Sequence, residues 1–221
     1  FPFVQPYFGL GNSLQTAQAG GAGGIGGWVE LARTTLGGTA DTIDVTSLAD
    51  KRYLMILGHI IPDGTSKINH NYRAGNGSID TGSNYTTRYS QDGGSDITGT
   101  SQNASLLGSG IEQGAEMFGV GYISNLASKE KLIQYHINSQ SSAGASAPPI
   151  RGEAVSKYAN TSNVIDTIRL YNSEVGSYIT GSSLVVLGWD PADTHTTNFW
   201  EELASVSNTT TQDNNRSEER R

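Results

Sequence analysis

The chain has 221 residues and no cysteine, which removes disulfides, thiolate zinc sites and thiol nucleophiles. Acidic residues outnumber Lys and Arg by 21 to 14, leaving a formal net charge of -7, and charged residues are only 16% of the total; such a chain is a poor match for nucleic-acid phosphates or an anionic membrane surface. Glycine at 28 residues, amid many Ser, Thr and Asn, is the vocabulary of turns and strands, and the length suffices for one large β domain that needs no covalent or metal staple.

Residues 1–14 carry Phe1, Phe3, Val4, Tyr7, Phe8 and Leu10, interrupted by Pro2, Pro6, Gly9 and Gly11. Neither the helical nor the strand period fits this spacing. The expectation is an extended arm whose aromatic side chains lie on a surface, that of its own body or of a neighbouring subunit. Phe1 is also an unusual first residue, because initiator Met is trimmed only before small residues, so a preceding segment is expected. Residues 17–27 form a Gly/Ala connector. Within it, Gly21, Gly23 and Gly26 reproduce the dinucleotide-binding spacing by letter. The fingerprint requires a strand before it and a helix after it, and neither context is present.

Strands are expected from Trp28 onward. Residues 28–36 end at Gly37 and Gly38, and residues 42–46 form a short strand. Residues 53–61 are almost continuously apolar, which predicts cover on both faces. After a turn at Asp63 and Gly64, residues 67–73 alternate, with Ile68, His70 and Tyr72 on one face and Lys67, Asn69, Asn71 and Arg73 on the other. Tyr85, Thr87 and Tyr89 alternate likewise before Asp92, Gly93 and Gly94. Residues 95–114 read as a long polar loop. Strands resume at 116–123 and 131–138, followed by a Ser/Ala/Gly/Pro loop at 139–149. Three more are expected at 152–158, 164–171 and 183–189, closed by Asp190 and Pro191. About ten short strands with turns between them and no room for helical crossovers predict an antiparallel sandwich or barrel.

Asn198 and Glu201 have capping-box spacing, and Phe199, Leu203 and Val206 share a helical face with Trp200 beside it. One short C-terminal helix followed by a polar tail is expected. The domain reading is therefore an arm and connector at 1–27, a β body at 28–190, and a helix with tail at 191–221.

Candidate chemistry is sparse. His59, His70, His136 and His195 show no metal-ligand spacing, and His59 is expected to be a core residue. Glu153 and Asp166 are read onto neighbouring strands, where two carboxylates offer a glycosidase-like pair; any β protein offers such pairs. Asp92 and Asp96 with nearby carbonyls offer an unspecific calcium site. Tyr72, Tyr85 and Tyr89 offer either a sugar-stacking platform or cross-strand packing. The chain is expected to be no enzyme and to hold no cofactor.

Several stretches together resemble a known family: Trp28 with Arg33, Thr34, Thr35, Leu36 and Gly37; Asp41 to Val45; the apolar strand opening Lys51, Arg52, Tyr53, Leu54; Tyr85 to Ser90 before Asp92; and Leu184 to Gly188. In these words the body resembles jelly-roll virion structural proteins of tailed bacteriophages. The resemblance implies an antiparallel β-sandwich of jelly-roll type, placed on capsids as decoration or cement, or in tail fibres. It implies a virion location, attachment to a major capsid protein or other virion subunits, and a homotrimer; the acidic, cation-poor composition adds the expectation of no nucleic acid and no membrane as partner. The segments that the resemblance does not cover supply the expected attachment residues: Phe1, Phe3, Tyr7, Phe8 and Leu10 in the arm, and Phe199, Trp200, Leu203 and Val206 in the helix. The alternatives are a receptor- or glycan-binding module acting through loops 95–114 and 139–149, and a polysaccharide-active enzyme.

Overall fold

A computed structural model describes residues 27–64, 67–106, 115–140 and 144–193. The expected arm at 1–14, the helix after Asn198 and their attachment residues lie outside the described residues.

The described residues contain eleven strands. They are β1 (Val29–Thr35), β2 (Thr42–Val45), β3 (Tyr53–Ile60), β4 (Asn71–Gly75), β5 (Tyr85–Gln91), β6 (Ile97–Gln102), β7 (Met117–Ser124), β8 (Lys131–Ser139), β9 (Ile150–Tyr158), β10 (Thr167–Tyr171) and β11 (Ser183–Trp189). Every pairing between them is antiparallel. One sheet has eight strands in the order β1-β11-β3-β7-β8-β9-β5-β6, and the other has three in the order β2-β10-β4. The body is thus all-β and sandwich-like. Its pairings are nested in sequence: β3 with β11, β4 with β10, β5 with β9, and β7 with β8.

Strict alternation drives the packing. Lys131, Ile133, Tyr135, Ile137 and Ser139 of β8 point inward, and the residues between them point out. Leu54, Ile56 and Ile60 of β3 and Leu184 and Val186 of β11 join the same face, which meets Ile43, Val45, Tyr72, Ala74, Ile168 and Leu170 of the small sheet in one core. Full burial of each large apolar side chain contributes about 2 kcal/mol. Tyr85 stacks on Tyr158 with ring centroids 4.8 Å apart, and its hydroxyl both accepts from Ala74 N and donates to Ala74 O, tying the sheets together. Lys131 is buried too, with Nζ donating to the carbonyls of Lys129 and Asn160 at 3.0 and 2.8 Å.

The large sheet makes room for one bulky residue through two glycines. Gly119 and Gly121 on β7 lie directly under Tyr135 of β8; a methyl group at Gly119 would fall on the phenol oxygen, and one at Gly121 on the ring. Tyr135 thereby turns across β7 into the core, at 1% exposure.

The structure departs from several sequence expectations. Residues 95–114 are not all loop, because β6 pairs with β5 there. Residues 67–70 precede β4 rather than belonging to it, and the expected polar face is not open: Asn69, and Asn71 at the start of β4, are covered as well as Ile68 and His70. Asn69 is held by residues just after β10, donating from N to Asn172 Oδ1 at 2.9 Å and accepting from Ser173 N at 2.8 Å. β3 has only one fully covered face; its other side is half-buried.

A candidate docking face on the large sheet

Across β11, β3, β7 and β8 the outward face of the large sheet combines aromatic surface with strand positions that carry no charge. Its central strands expose Tyr53, Met55, Leu57 and His59 on β3, and Phe118, Val120, Tyr122 and Ser124 on β7. β8 adds Leu132, Gln134, His136 and Asn138, and β11 adds Ser183, Val185, Leu187 and Trp189. None of these positions is Asp, Glu, Lys or Arg. Charge returns at the margins. Glu30 and Arg33 of β1 pair at 2.5 Å, Arg151 and Glu153 of β9 at 3.3 Å, and Lys157 reaches Glu130 at 3.0 Å.

A cleft of about 600 Å³ is sunk into this face, with Trp28, Tyr53, Tyr122, Leu132, Val155 and Trp189 in its walls. Tyr53 stacks on Trp189 with centroids 5.5 Å apart and planes at 20°. Trp28 tilts against Tyr122 at 6.1 Å. The Arg52 guanidinium lies over the Tyr53 ring, 5.6 Å from its centroid. In the cleft walls Leu132 is 62% exposed, Val155 57% and Tyr122 45%, and further along β7 Phe118 is 45% exposed. Apolar side chains contiguous on one face at this exposure mark an interaction surface. A smaller hollow of about 260 Å³ includes His59, Glu116, Phe118 and Asn138.

The chemical candidates from the sequence are placed differently. His59 is not a core residue; it sits half-buried on the outward face of β3, because the apolar run there serves a covered and an open side. His136 is exposed on the same face. Glu153 and Asp166 do not share neighbouring strands. Glu153 belongs to β9 in the large sheet, whereas Asp166 precedes β10 in the small sheet and accepts from Gly77 N at 2.7 Å. Asp92 Oδ1 accepts from Arg151 N at 2.8 Å. Among the described residues no group of three or more His, Asp or Glu is placed to hold a metal. Tyr72 and Tyr85 are buried, so with Tyr89 they form no open platform for a sugar; Tyr85 makes the packing pair with Tyr158 instead.

His70 is sealed in the core. Its Nε2 lies 2.9 Å from Tyr72 Oη and 3.1 Å from Tyr135 Oη, and the two hydroxyls are 2.6 Å apart. Burial pushes the imidazole pKa down to about 3, so it is neutral at ordinary pH. Burial likewise raises Tyr72 and Tyr135 above the usual phenol range. With His70, Tyr72 and Tyr135 at 1%, 3% and 1% exposure, the triple has no route to a substrate and acts as a polar clasp between the sheets.

The sequence reading missed the docking face. Its signal was nonetheless present: Tyr122, Leu132 and Val155 occupy the phase of their strands that ordinarily carries polar residues. Comparison with known families, curated proteins and solved structures yields no match.

Proposed function

We propose that this chain is a virion structural protein, a capsid decoration or cement protein that works by attaching to neighbouring subunits and not by catalysis. The observation that carries the reading is the outward face of the large sheet. Its uncharged aromatic centre and charged margins have the anatomy of a protein interface. The nested strand pairs support a jelly-roll winding, with the β7 and β8 hairpin carried in the large sheet. The arm residues Phe1, Phe3, Tyr7, Phe8 and Leu10 and the C-terminal Phe199, Trp200, Leu203 and Val206 are further attachment points, suited to wrapping a neighbour with few residues. The cleft walls favour a protein surface over a glycan, because sugars need polar partners around the stacking rings and these walls are mostly aromatic and aliphatic.

The test is to locate the chain on gradient-purified particles of the encoding phage, using an antibody against the recombinant protein. Label over the capsid, with the chain present in many copies, is expected. Label confined to the tail transfers the reading to a tail-fibre module, and particles lacking the chain overturn it.

A further inference from the structure

We infer that Asn76 is a latent site of spontaneous deamidation, and that the segment just before β10 keeps it unreactive while the chain is folded. The inference concerns the β body alone and stands whether or not the chain occupies a virion.

The sequence supplies the chemistry. Asparagine is chemically labile, and Asn76-Gly77 is the only Asn-Gly step in the chain. At such a step the backbone N of the glycine can attack the amide carbon of the asparagine side chain, because glycine has no side chain to hinder the approach. A bond forms between Gly77 N and Asn76 Cγ, the Cγ–Nδ2 bond breaks, and ammonia leaves with the proton from Gly77 N. Water then opens the five-membered imide at either carbonyl, leaving aspartate or isoaspartate at position 76. Asn76 and Gly77 are both exposed, so water reaches them.

The fold supplies the restraint. Ring closure requires rotation about the Cα–Cβ and Cα–C bonds of Asn76 until Gly77 N lies within roughly 3–3.5 Å of Cγ and in line with it. Hydrogen bonds to a single segment oppose both rotations. Asn76 Nδ2 donates to Val164 O at 3.1 Å, and Gly77 N donates to Asp166 Oδ1 at 2.7 Å. Asp166 is held in turn: its Oδ1 also accepts from Thr167 Oγ1 at 3.0 Å, and its N donates to Gly75 O at 3.0 Å. Between Val164 and Asp166, Ile165 is fully buried. Its N donates to Asn125 Oδ1 at 2.7 Å, and its O accepts from Asn125 Nδ2 at 3.3 Å. The segment that grips the Asn-Gly step is therefore pinned to the core. The turn has little slack of its own. Gly75 bridges Ile79, a methyl group at Gly75 would collide with Ser78 O, and Gly77 sits at a φ of 69°. Conversion would undo the grip, because a carboxylate at position 76 has no hydrogen to give Val164 O, and isoaspartate lengthens the backbone inside the turn.

The experiment incubates the full chain at mildly alkaline pH, folded and in unfolding urea, and follows amide-to-acid conversion at position 76 by peptide mass mapping. Conversion in the folded chain should be about a hundredfold slower than in the unfolded chain. Asp166→Ala, shown to be folded by circular dichroism, should speed conversion in the folded state about tenfold, the worth of one charge-assisted hydrogen bond. If that variant does not fold, amide hydrogen exchange in the parent still decides, since a held Gly77 N–H should exchange about a hundredfold more slowly than in the unfolded chain. A Gly77 amide without protection, or folded-state conversion at the unfolded rate, overturns the inference. So does conversion in folded Asp166→Ala no faster than in the parent; a slower rate there would make the carboxylate the base that drives ring closure.

Discussion

The two faces of β7 and β8 are built from the same backbone and obey opposite rules. Inward, Gly119 and Gly121 leave only enough space for Tyr135, whose hydroxyl closes the clasp with Tyr72 and His70. Outward, Phe118 and Tyr122 are each 45% exposed and Leu132 62%. A residue's neighbours can be crowded on one side of a strand and absent on the other within a single step of the chain. Tolerance to substitution should therefore alternate along these strands, and the sharpness of that alternation is measurable.

The largest effect is expected at the glycines. Gly119→Ala or Gly121→Ala drives a methyl group into Tyr135 and should cost about 3 kcal/mol in urea unfolding. Stability within experimental error of the parent would show that Tyr135 has another place to go. Next comes acid. The His70 pKa is about 3 when folded and near 6.5 when unfolded, so its contribution is complete above pH 6.5 and is lost as pH falls toward 3. Between pH 6.5 and 5 the loss from this residue should be about 2 kcal/mol, at roughly 1.4 kcal/mol per unit. His70→Gln should flatten the pH dependence of stability relative to the parent. Equal slopes in parent and His70→Gln proteins would place the acid sensitivity elsewhere.

Smaller again is Tyr72→Phe. It removes the hydroxyl shared by His70 and Tyr135 and should cost about 1.5 kcal/mol by the same unfolding assay. The smallest effect belongs to the outward face. Leu132→Gln, measured at a concentration low enough to keep the chain monomeric, should shift stability by less than about 0.5 kcal/mol. A loss comparable with that of Tyr72→Phe would mean that Leu132 is covered within one copy, and the contrast between the faces would shrink.

Most strands were legible because alternation is local. β11 at Ser183–Trp189 and the start of β8 at Lys131 follow directly from their residue pattern. β6 was not legible, since no residue of Ile97–Gln102 is buried and only its pairing with β5 makes it a strand. An edge strand of this kind has no apolar period to read. The buried Asn69 was misread because polarity suggested solvent, whereas Asn172 and Ser173 satisfy it from more than a hundred residues away. The carboxylate pair failed because β9 and β10, consecutive in sequence, belong to different sheets. The docking face was hidden for a further reason: an apolar run such as Tyr53–Ile60 looks the same whether its second side meets the core or another surface.

By itself the sequence determined the β class, most strand positions and the phase in which side chains alternate, because these follow from backbone geometry over a few residues. The tertiary structure alone decided which strands are neighbours, that Gly119 and Gly121 receive Tyr135, and that the second apolar phase of β3, β7 and β11 opens outward. Those outcomes depend on contacts between segments far apart in the chain, and no local period encodes which distant strand will close against which.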